Sequence, residues 1–392
     1  MRVSSHRLGR AALIGVVATM AASILAAPVA AASPPGLYVA KHHSSDANPC
    51  SSGQPCLTIG HAVSVATAGA TIHVDQGMYA EQVSITQRLT LIGDDATIDA
   101  TGQTGGIQPL AGMGVVGYGL LVFGPNASGS VVKGFTVEHA LGEGILVAGT
   151  SKVLIQDNIV RLNDAGFNTT MTFECRAQGN IPGDCGEGLH LVSSSWSRLV
   201  DNVVENNVGG ILITDEFGPS AHNVISGNVS KNNLQDCGIT LPSHNAMAMT
   251  DPTKGGVYDN LVIGNVSEGN GGAGVGMFAP FPGTASYNNR IIGNTLRNNG
   301  QAGVGIHAHA PGQNVSGNVI MNNWISGNGI DPDSGSGHPT GIALFSAAVP
   351  VTVAVTNNHI GNEYWGIFRA GAITIHGLSS NHFANSVTTH IN

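Results

Sequence analysis

Histidines and adjacent carboxylates stand at related positions in the middle of this 392-residue sequence. His190, the pair Asp215 and Glu216, and His244 each lie shortly after a glycine that begins an apolar segment. Imidazole and carboxylate groups are the usual general acids and bases of enzymes, because their pKa values can be tuned towards neutral pH. These four residues are therefore the candidate catalytic group. A solvated turn through Asp215 and Glu216 is the competing interpretation.

A second group of candidate residues lies further along the chain. His307 and His309 are two residues apart on a predicted strand, so both imidazoles would lie on the same side of it, a spacing found in metal sites. No third ligand can be identified, so the sequence assigns no metal ligands to them. We expect them to bind substrate together with Phe278, whose ring can pack on a sugar, and Asp236, which either buttresses a groove or caps a turn.

Calcium is the one cofactor that the sequence leaves open. The loop Asp331-Pro332-Asp333-Ser334-Gly335 could offer oxygen ligands to Ca²⁺, although this composition is also ordinary for a loop. No cofactor is otherwise identified.

A repeat in the sequence predicts where these candidate residues lie in the fold. A glycine followed by an apolar residue recurs at even intervals from Gly144 to Gly210 and at longer intervals after that, and short Asn-led apolar segments lie in between. A constant minimum spacing with insertions indicates a coil that repeats. Alternating Val and Ile indicate strands rather than helices. The glycine positions are 144, 166, 188, 210, 238, 274, 303, 341 and 366, and the Asn positions are 158, 202, 228, 265, 294, 318 and 358.

The repeat predicts an all-β fold, a single-stranded right-handed parallel β-helix. Successive coils would lie about 4.8 Å apart, with stacked apolar columns inside and a ladder of Asn side chains at one corner. The repeated glycines would supply positive φ at tight corners. Alternate residues after each glycine, including His190 and His307, would face outward.

The predicted coil rise divides the candidate residues into two groups. His190, Asp215 with Glu216, and His244 lie on successive coils, about 5 Å apart, whereas His307 lies three coils beyond Asp215, about 14–15 Å away. The longest insertions, at positions 242–255 and 279–287, begin beside the outward histidines and carboxylates. They predict walls around a groove on this face.

The segments before the repeat predict a cap. Residues 58–66 form a short helix with Thr58 as its N-cap, followed by strands at 71–74, 81–85 and 89–92. The segments at 37–40, 55–59, 77–81 and 89–93 resemble the N-terminal start of secreted β-helix proteins of the pectin-lyase-like superfamily. The repeat resembles the NosD-like repeats of the same superfamily. This resemblance implies the fold over nearly the whole mature chain, but it leaves activity open, since the superfamily includes lyases, hydrolases, epimerases and non-catalytic members.

The N-terminal segment, residues 1–32, predicts a cleaved signal peptide, with three arginines, an apolar stretch and small residues at the cleavage site. We expect residues 33–110 to form the N-terminal cap and first coils, and residues 111–392 the repeat region. A secreted protein without a stable membrane span follows. In that compartment, Cys50 with Cys56 and Cys175 with Cys185 would form disulfides, and Cys237 would be a buried thiol.

The charged-residue composition limits the classes of binding partner that we expect. The chain has 15 Lys and Arg against 24 Asp and Glu, so a nucleic-acid partner, which requires a basic surface, is not expected. The leading hypothesis is a carbohydrate-active protein, a polysaccharide lyase or glycoside hydrolase working in the groove. The alternatives are a non-catalytic polysaccharide-binding or cell-surface protein and a NosD-like accessory protein. Whether the protein is an enzyme stays open in the sequence.

Overall fold

The computed structural model describes residues 36–103, 106–107, 116–164 and 186–392. Within these ranges the chain winds as a right-handed parallel β-helix, which confirms the predicted fold. Helix α1 (Ile59–Val65) lies near the N-terminal end, and two short 3₁₀ turns occur at Pro125–Ala127 and Leu378–Ser380.

The strands are short and follow one another in chain order. The first coils contain β1 (Leu37–Val39), β2 (Thr71–Val74), β3 (Gly77–Tyr79), β4 (Val83–Ile85), β5 (Thr90–Asp99), β6 (Gly106–Ile107), β7 (Val116–Phe123), β8 (Val131–Glu138), β9 (Glu143–Ala148), β10 (Leu154–Gln156) and β11 (Ile159–Arg161). The middle coils contain β12 (Glu187–Val192), β13 (Arg198–Val200), β14 (Val203–Glu205), β15 (Gly209–Thr214), β16 (Ser220–Ala221), β17 (Val224–Ser226), β18 (Val229–Lys231), β19 (Ile239–Pro242), β20 (Val257–Tyr258), β21 (Leu261–Ile263), β22 (Val266–Glu268), β23 (Val275–Ala279) and β24 (Ser286–Tyr287). The last coils contain β25 (Arg290–Ile292), β26 (Thr295–Arg297), β27 (Val304–Ala308), β28 (Val319–Met321), β29 (Trp324–Ser326), β30 (Thr340–Thr356), β31 (His359–Gly361), β32 (Trp365–His376), β33 (His382–Phe383) and β34 (Thr389–Ile391).

Parallel pairing sorts these strands into three main sheets. The first sheet runs β4, β7, β9, β12, β15, β19, β23, β27, β30, β32 and β34. The second runs β1, β2, β5, β8, β10, β13, β17, β21, β25, β28 and the second half of β30. The third runs β3, β5, β8, β11, β14, β18, β22, β26, β29, β31 and β33. A small sheet of β16, β20 and β24 joins the first sheet to the second.

Inward side chains of all three sheets form one elongated apolar core. In the first sheet the residues after each repeat glycine, such as Ile145, Leu189 and Ile211, belong to this core. The intervening residues face the other side of the sheet, as predicted, but they are covered rather than solvated. Leu146 there packs in a separate small cluster with Tyr118, Leu121, Ala148 and Val192.

Asparagine ladders hold the corners. Each amide in the main ladder except the last donates to the next Asn side chain at about 3 Å, and each donates to a backbone carbonyl, so the buried amides have partners. The ladder contains Asn158, Asn202, Asn228, Asn265, Asn294, Asn323, Asn358 and Asn381. The expected member Asn318 belongs instead to a ladder with Asn223, Asn260 and Asn289, because β29 rather than β28 pairs with β26.

The repeated glycines have a different cause from the one predicted. The backbone at Gly144 and Gly188 is not left-handed, but a Cβ there would lie 2.3 Å from a Val side chain of the third sheet. Close packing across the coil therefore excludes a side chain. Left-handed corners are occupied by Asn and Asp, such as Asp157 and Asp201, whose short polar side chains tolerate positive φ, and by other glycines, such as Gly264 and Gly293.

β9 and β12 are neighbours in the first sheet, with Ile145 opposite Leu189. The predicted repeat position Gly166 falls between β11 and β12 in the sequence. Residues 165–185, between β11 and β12, lie outside the described residues.

The predicted N-terminal helix and the first predicted disulfide are confirmed. Thr58 caps α1 by accepting a hydrogen bond from the amide of His61, and Cys50 and Cys56 form a disulfide. Cys237 is a buried free thiol, and burial raises its pKa. The predicted Cys175–Cys185 pair and the predicted signal peptide lie outside the described residues. Among the described residues, no helix has the length and apolar character needed to span a membrane.

Candidate functional site

The first-sheet strands bring the four candidate catalytic residues together. His190 lies within β12, Asp215 and Glu216 directly follow β15, and His244 comes shortly after the end of β19. Since β12, β15 and β19 are neighbours, the ends of three successive coils meet. We call His190, Asp215, Glu216 and His244 the central cluster.

A chain of hydrogen bonds crosses the central cluster. Nδ1 of His190 lies 3.0 Å from Oε1 of Glu143, and its Nε2 lies 2.9 Å from the Thr214 hydroxyl. Thr214 donates to Oε2 of Glu216 at 2.5 Å, and Oε1 of Glu216 lies 2.8 Å from Nδ1 of His244. The chain therefore joins a fully buried histidine to one whose side chain keeps 6% of its surface exposed.

Counting protons fixes the state of the inner part of this chain. The Thr214 hydroxyl has one hydrogen and donates it to Glu216, so it must accept from Nε2–H of His190. Nδ1 of His190 then either donates to an ionised Glu143 or accepts from a protonated one. In both cases the Glu143–His190 pair holds one proton in addition to the Nε2 proton.

Asp215 fastens the insertion that follows β19. Its Oδ1 accepts from the amides of His244 and Asn245, at 2.6 and 3.2 Å. Its Oδ2 accepts from the Ser243 hydroxyl at 2.8 Å and from the amide of Gly256. Asp215 is fully buried, so it does not lie in a solvated turn. One carboxylate thus holds both ends of the 243–256 loop, on which His244 lies.

The two adjacent acids have pKa values shifted in opposite directions. Burial raises the pKa of Asp215 to about 6, and the charge of Glu216 adds to this rise. Burial acts to raise the pKa of Glu216 as well, but the hydrogen bond and charge of His244, with His190 and Thr214, outweigh it and lower that pKa. Opposed shifts in a pair of titratable groups are typical of acid–base sites.

A depression of about 280 Å³ lies next in sequence to Glu216, although no residue of the central cluster itself lines it. Phe217 and Gly218, which follow Glu216, form one side of it, and hydroxyl-bearing residues form much of the rest. This lining offers an aromatic surface and hydroxyl hydrogen-bond partners, which are the groups that bind sugars. The hydroxyl-bearing residues are Ser128, Thr150, Ser151 and Ser193.

The predicted binding histidines form a separate group. His307 lies in β27, and its Nε2 lies 2.8 Å from Oδ2 of Asp331. The His307 and His309 rings meet edge to face, with centroids 5.7 Å apart, and Asp333 lies beside them, with 3.9 Å between its Oδ2 and Nδ1 of His307. We call His307, His309, Asp331 and Asp333 the distal cluster. β23 separates β27 from β19, so the two clusters lie apart along the axis, as predicted.

The carboxyl group of Asp331 and the imidazole of His309 both have lowered pKa values. Burial acts to raise the pKa of Asp331, but the hydrogen bond and charge of His307 and two backbone amides lower it. Burial, and then the charge of His307, lower the pKa of His309.

The two other candidate binding residues, Phe278 and Asp236, lie in different places in the structure. Phe278 packs against His307, with ring centroids 5.0 Å apart, and therefore belongs beside the distal cluster. Asp236 precedes β19 whereas His244 follows it, so Asp236 lies at the opposite end of that strand from the outer central cluster. The Thr240 hydroxyl approaches Oδ2 of Asp236 at 3.5 Å.

Three participants were missing from the sequence-based set. Glu143 lies 47 residues before His190, Thr214 was assigned no role, and Asp331 was considered only for calcium. For Glu143, the available signal in the sequence was the repeated Glu-Gly pair, Glu143 before Gly144 and Glu187 before Gly188. Nothing in the sequence indicated that the 331–335 loop returns to His307.

Comparisons with known proteins agree with this architecture. Residues 117–272 match the family model described as periplasmic copper-binding protein (NosD), and residues 253–340 match the model of a right-handed β-helix region. No curated protein matches the sequence significantly.

Solved structures share the fold at low sequence identity. The A-module of a mannuronan C-5 epimerase from Azotobacter vinelandii has a TM-score of 0.53 and 14% identity, over 85% of this chain and 91% of that chain. A pectate lyase has a TM-score of 0.53 and 17% identity, over 89% of this chain and 78% of that chain. The protein is therefore a right-handed parallel β-helix protein with the pectin-lyase-like fold.

Proposed function

We propose that this protein is an exported polysaccharide lyase in which His244, oriented by Glu216, removes a proton from a sugar bound over the central cluster. The observation that carries the proposal is the 2.8 Å contact between Nδ1 of His244 and the Glu216 carboxylate, at the outer end of a buried hydrogen-bond chain. A carboxylate on Nδ1 holds the imidazole in one orientation and stabilises the imidazolium formed when Nε2 takes a proton.

The reaction would be an elimination on a uronic acid residue. His244 accepts the proton on the carbon next to the carboxyl group, and the released electron pair forms a double bond to the neighbouring ring carbon. The bond from that carbon to the glycosidic oxygen breaks, and the oxygen leaves with its electron pair and takes up a proton. Asp215 acts as a positioning residue, because it holds both ends of the loop that carries His244.

A lyase is favoured over a glycoside hydrolase by the placement of the acids. Hydrolysis uses two carboxyl groups about 5–9.5 Å apart on either side of the scissile bond. Asp215 is fully buried and both of its oxygens accept hydrogen bonds, whereas Glu216 keeps 9% of its side-chain surface exposed, so these two acids offer at most one carboxyl group to a substrate. Two proteins that share this fold, the pectate lyase and the mannuronan epimerase, bear the names of polysaccharide enzymes.

Neutralising the substrate carboxylate requires a cation near His244. Lys254 lies on the same loop, where its carbonyl accepts from the Asn245 side chain at 2.7 Å, and its own side chain is exposed. Arg161 is already paired with Glu138 at 2.9 Å. Lys254 is therefore the residue that we assign to the uronate carboxylate.

A panel of acidic and neutral polysaccharides tests the proposal. Incubation with the right acidic polymer should produce ultraviolet absorbance from unsaturated ends, and His244→Gln should abolish it. Lys231→Ala, on the third sheet and paired with Glu205, is the matched control and should retain activity. New reducing ends without ultraviolet absorbance would instead indicate a hydrolase.

A non-catalytic binding protein is the second candidate, and one observation favours it. A depression of about 490 Å³ lies on the third sheet, where the rings of Trp324, His359 and His382 stack. Retention of a polymer in affinity electrophoresis without any product, lost in Trp324→Ala, would support that function.

A further inference from the structure

The distal cluster presents two imidazoles and a carboxylate to one point. One ligand atom from each of His307, His309 and Asp333 lies within 4.8 Å of the other two. Ligands of a tetrahedral ion with bonds near 2.0–2.1 Å lie about 3.4 Å apart. The measured 3.9 Å between Nδ1 of His307 and Oδ2 of Asp333 is close to that separation. Small side-chain rotations of His309 and Asp333 would bring the set onto an ion.

Asp331 decides which nitrogen of His307 faces this point. Oδ1 of Asp331 accepts from the amides of Asp333 and Ser334, and Oδ2 takes the hydrogen bond from Nε2–H of His307. Because Nε2 carries the proton, Nδ1 keeps its lone pair and turns it towards His309 and Asp333. A carboxylate behind a ligating histidine is the usual arrangement that orients the ring and increases its basicity.

The buried Nδ1 of His307 is available to a ligand. His307 is 1% exposed, and its Nδ1 has no hydrogen-bond partner among the described residues. Leaving a buried polar atom unpaired is unfavourable unless a ligand satisfies it. The rings of Phe278 and Phe345 pack against the two histidines and exclude water from one side. Asp333 keeps 66% of its side chain exposed, so an ion could enter from that side.

We propose that His307 (through Nδ1), the His309 imidazole and the Asp333 carboxylate bind a first-row transition-metal ion of the Zn²⁺ class, with Asp331 as the orienting carboxylate. Imidazole nitrogens favour such ions, whereas Ca²⁺ and Mg²⁺ favour oxygen ligands. Three protein ligands leave one tetrahedral position open for water or a substrate group. The proposal does not rest on lyase activity, and the site lies beyond residues 117–272, where the NosD model matches.

Other groups of candidate ligands are less suited to an ion. Cys50 and Cys56 are joined in a disulfide, so they offer no thiolate to a metal with His61. In the group of Glu143, Glu187 and His190, both ring nitrogens of His190 already have partners.

The last group of candidate ligands is Asp99, Glu138 and His139, and its carboxylates already take part in hydrogen bonds and an ion pair. Glu138 receives a charged hydrogen bond from Arg161, and Asp99 accepts from Thr101. The distal cluster therefore differs from the other groups in its buried, unpartnered nitrogen.

Calorimetric titration of the chelator-treated full chain with ZnCl₂ tests the site. We expect one Zn²⁺ per chain. His309→Ala and Asp333→Asn should weaken binding by roughly 100-fold or more, and Asp331→Asn by about 10–100-fold. Asp259→Asn is the matched control, because Asp259 lies 4.0 Å from Nδ1 of His222 in an exposed His–Asp pair, and it should leave Zn²⁺ affinity unchanged.

Two further measurements separate the site from nonspecific binding. Co²⁺ should give the ligand-field bands of a four-coordinate site in the wild type and lose them in His309→Ala, while far-ultraviolet circular dichroism shows the fold intact. CaCl₂ should not displace Zn²⁺. Zn²⁺ affinity that survives both His309→Ala and Asp333→Asn, or a wild type that binds no Zn²⁺, would overturn the proposal.

Discussion

The central and distal clusters use the same building unit in opposite ways. In each, a histidine meets a carboxylate at 2.8 Å, His244 on the loop after β19 with Glu216 and His307 in β27 with Asp331. In the central cluster, both nitrogens of His190 and both oxygens of Asp215 have partners. In the distal cluster, Nδ1 of His307 has none among the described residues. A closed chain suits the movement and holding of protons, whereas a fixed lone pair suits a cation.

Stability should show the largest difference between the clusters. Asp215→Ala removes the acceptor of three amides and a hydroxyl, and unsatisfied buried donors cost about 1–3 kcal/mol each, so the free energy of unfolding should fall by roughly 3 kcal/mol or more. Asp333→Ala, at an exposed carboxylate, should change it by less than about 0.5 kcal/mol. Urea unfolding of both variants measures this. Equal midpoints for the two would remove the distinction between a closed and an open cluster.

Turnover should distinguish the clusters next. His244→Ala should lower kcat on a cleaved polysaccharide by a factor of roughly 10² or more, because it removes the proposed general base. His309→Ala should act mainly on KM, since it lies beyond β23 and can touch only a distant part of the polymer. Steady-state kinetics on one substrate measures both. A larger loss of kcat in His309→Ala than in His244→Ala would move the chemistry to the distal cluster.

The two buried carboxylates should give opposite pH dependences of stability. The folded-state pKa of Asp215, about 6, exceeds the ordinary 3.8, so its stabilisation is present at low pH and is lost as the pH rises through about 4 to 6. The pKa of Asp331 lies below its ordinary value, so its stabilisation is lost as the pH falls below about 4.

Asparagine variants isolate these contributions. The stability advantage of the wild type over Asp215→Asn should shrink between about pH 4 and 6.5, by an amount on the order of 1–3 kcal/mol. The advantage over Asp331→Asn should instead shrink on acidification from about pH 5 to 3. Thermal unfolding across this range measures both slopes. Slopes of the same sign would mean that the two acids sit in equivalent environments.

The sequence predicted the fold well because a solenoid repeats its local rules. Glycine spacing and alternating Val and Ile were enough for the β-helix and for the column that holds His190, and Thr58 at the start of residues 58–66 was enough for the N-cap of α1. It failed at Asn318, because an Asn-led strand does not state which strand pairs with it. Pairing is a long-range choice that local pattern leaves open.

Strand register predicted the positions of the candidate residues that lie in or next to strands, but not the partners that loops bring to them. Register brought His190 near the ends of β15 and β19 and separated His307 from them. The partners that decide the chemistry come from loops and earlier coils. Asp331 returns to His307 through a loop of its own, and Glu143 reaches His190 across 47 residues. Side-chain direction in such segments depends on tertiary contacts, which no residue spacing encodes.

Breaking the hydrogen-bond chain inside the central cluster should have the smallest effect. Thr214→Val keeps the shape of the side chain but removes the hydroxyl that accepts from His190 and donates to Glu216. Glu216 would keep its contact with Nδ1 of His244, so the base should stay in place and kcat should fall only by roughly fivefold, the equivalent of about 1 kcal/mol for one hydrogen bond. Thr214→Ser, which keeps the hydroxyl, should restore kcat and thereby exclude a packing effect. Zn²⁺ affinity at the distal cluster should be the same in both variants, because β23 lies between the two clusters. A loss of kcat as large as that of His244→Ala would show instead that the proton is passed inward to the Glu143–His190 pair, and that the buried chain takes part in turnover rather than only orienting its outer end.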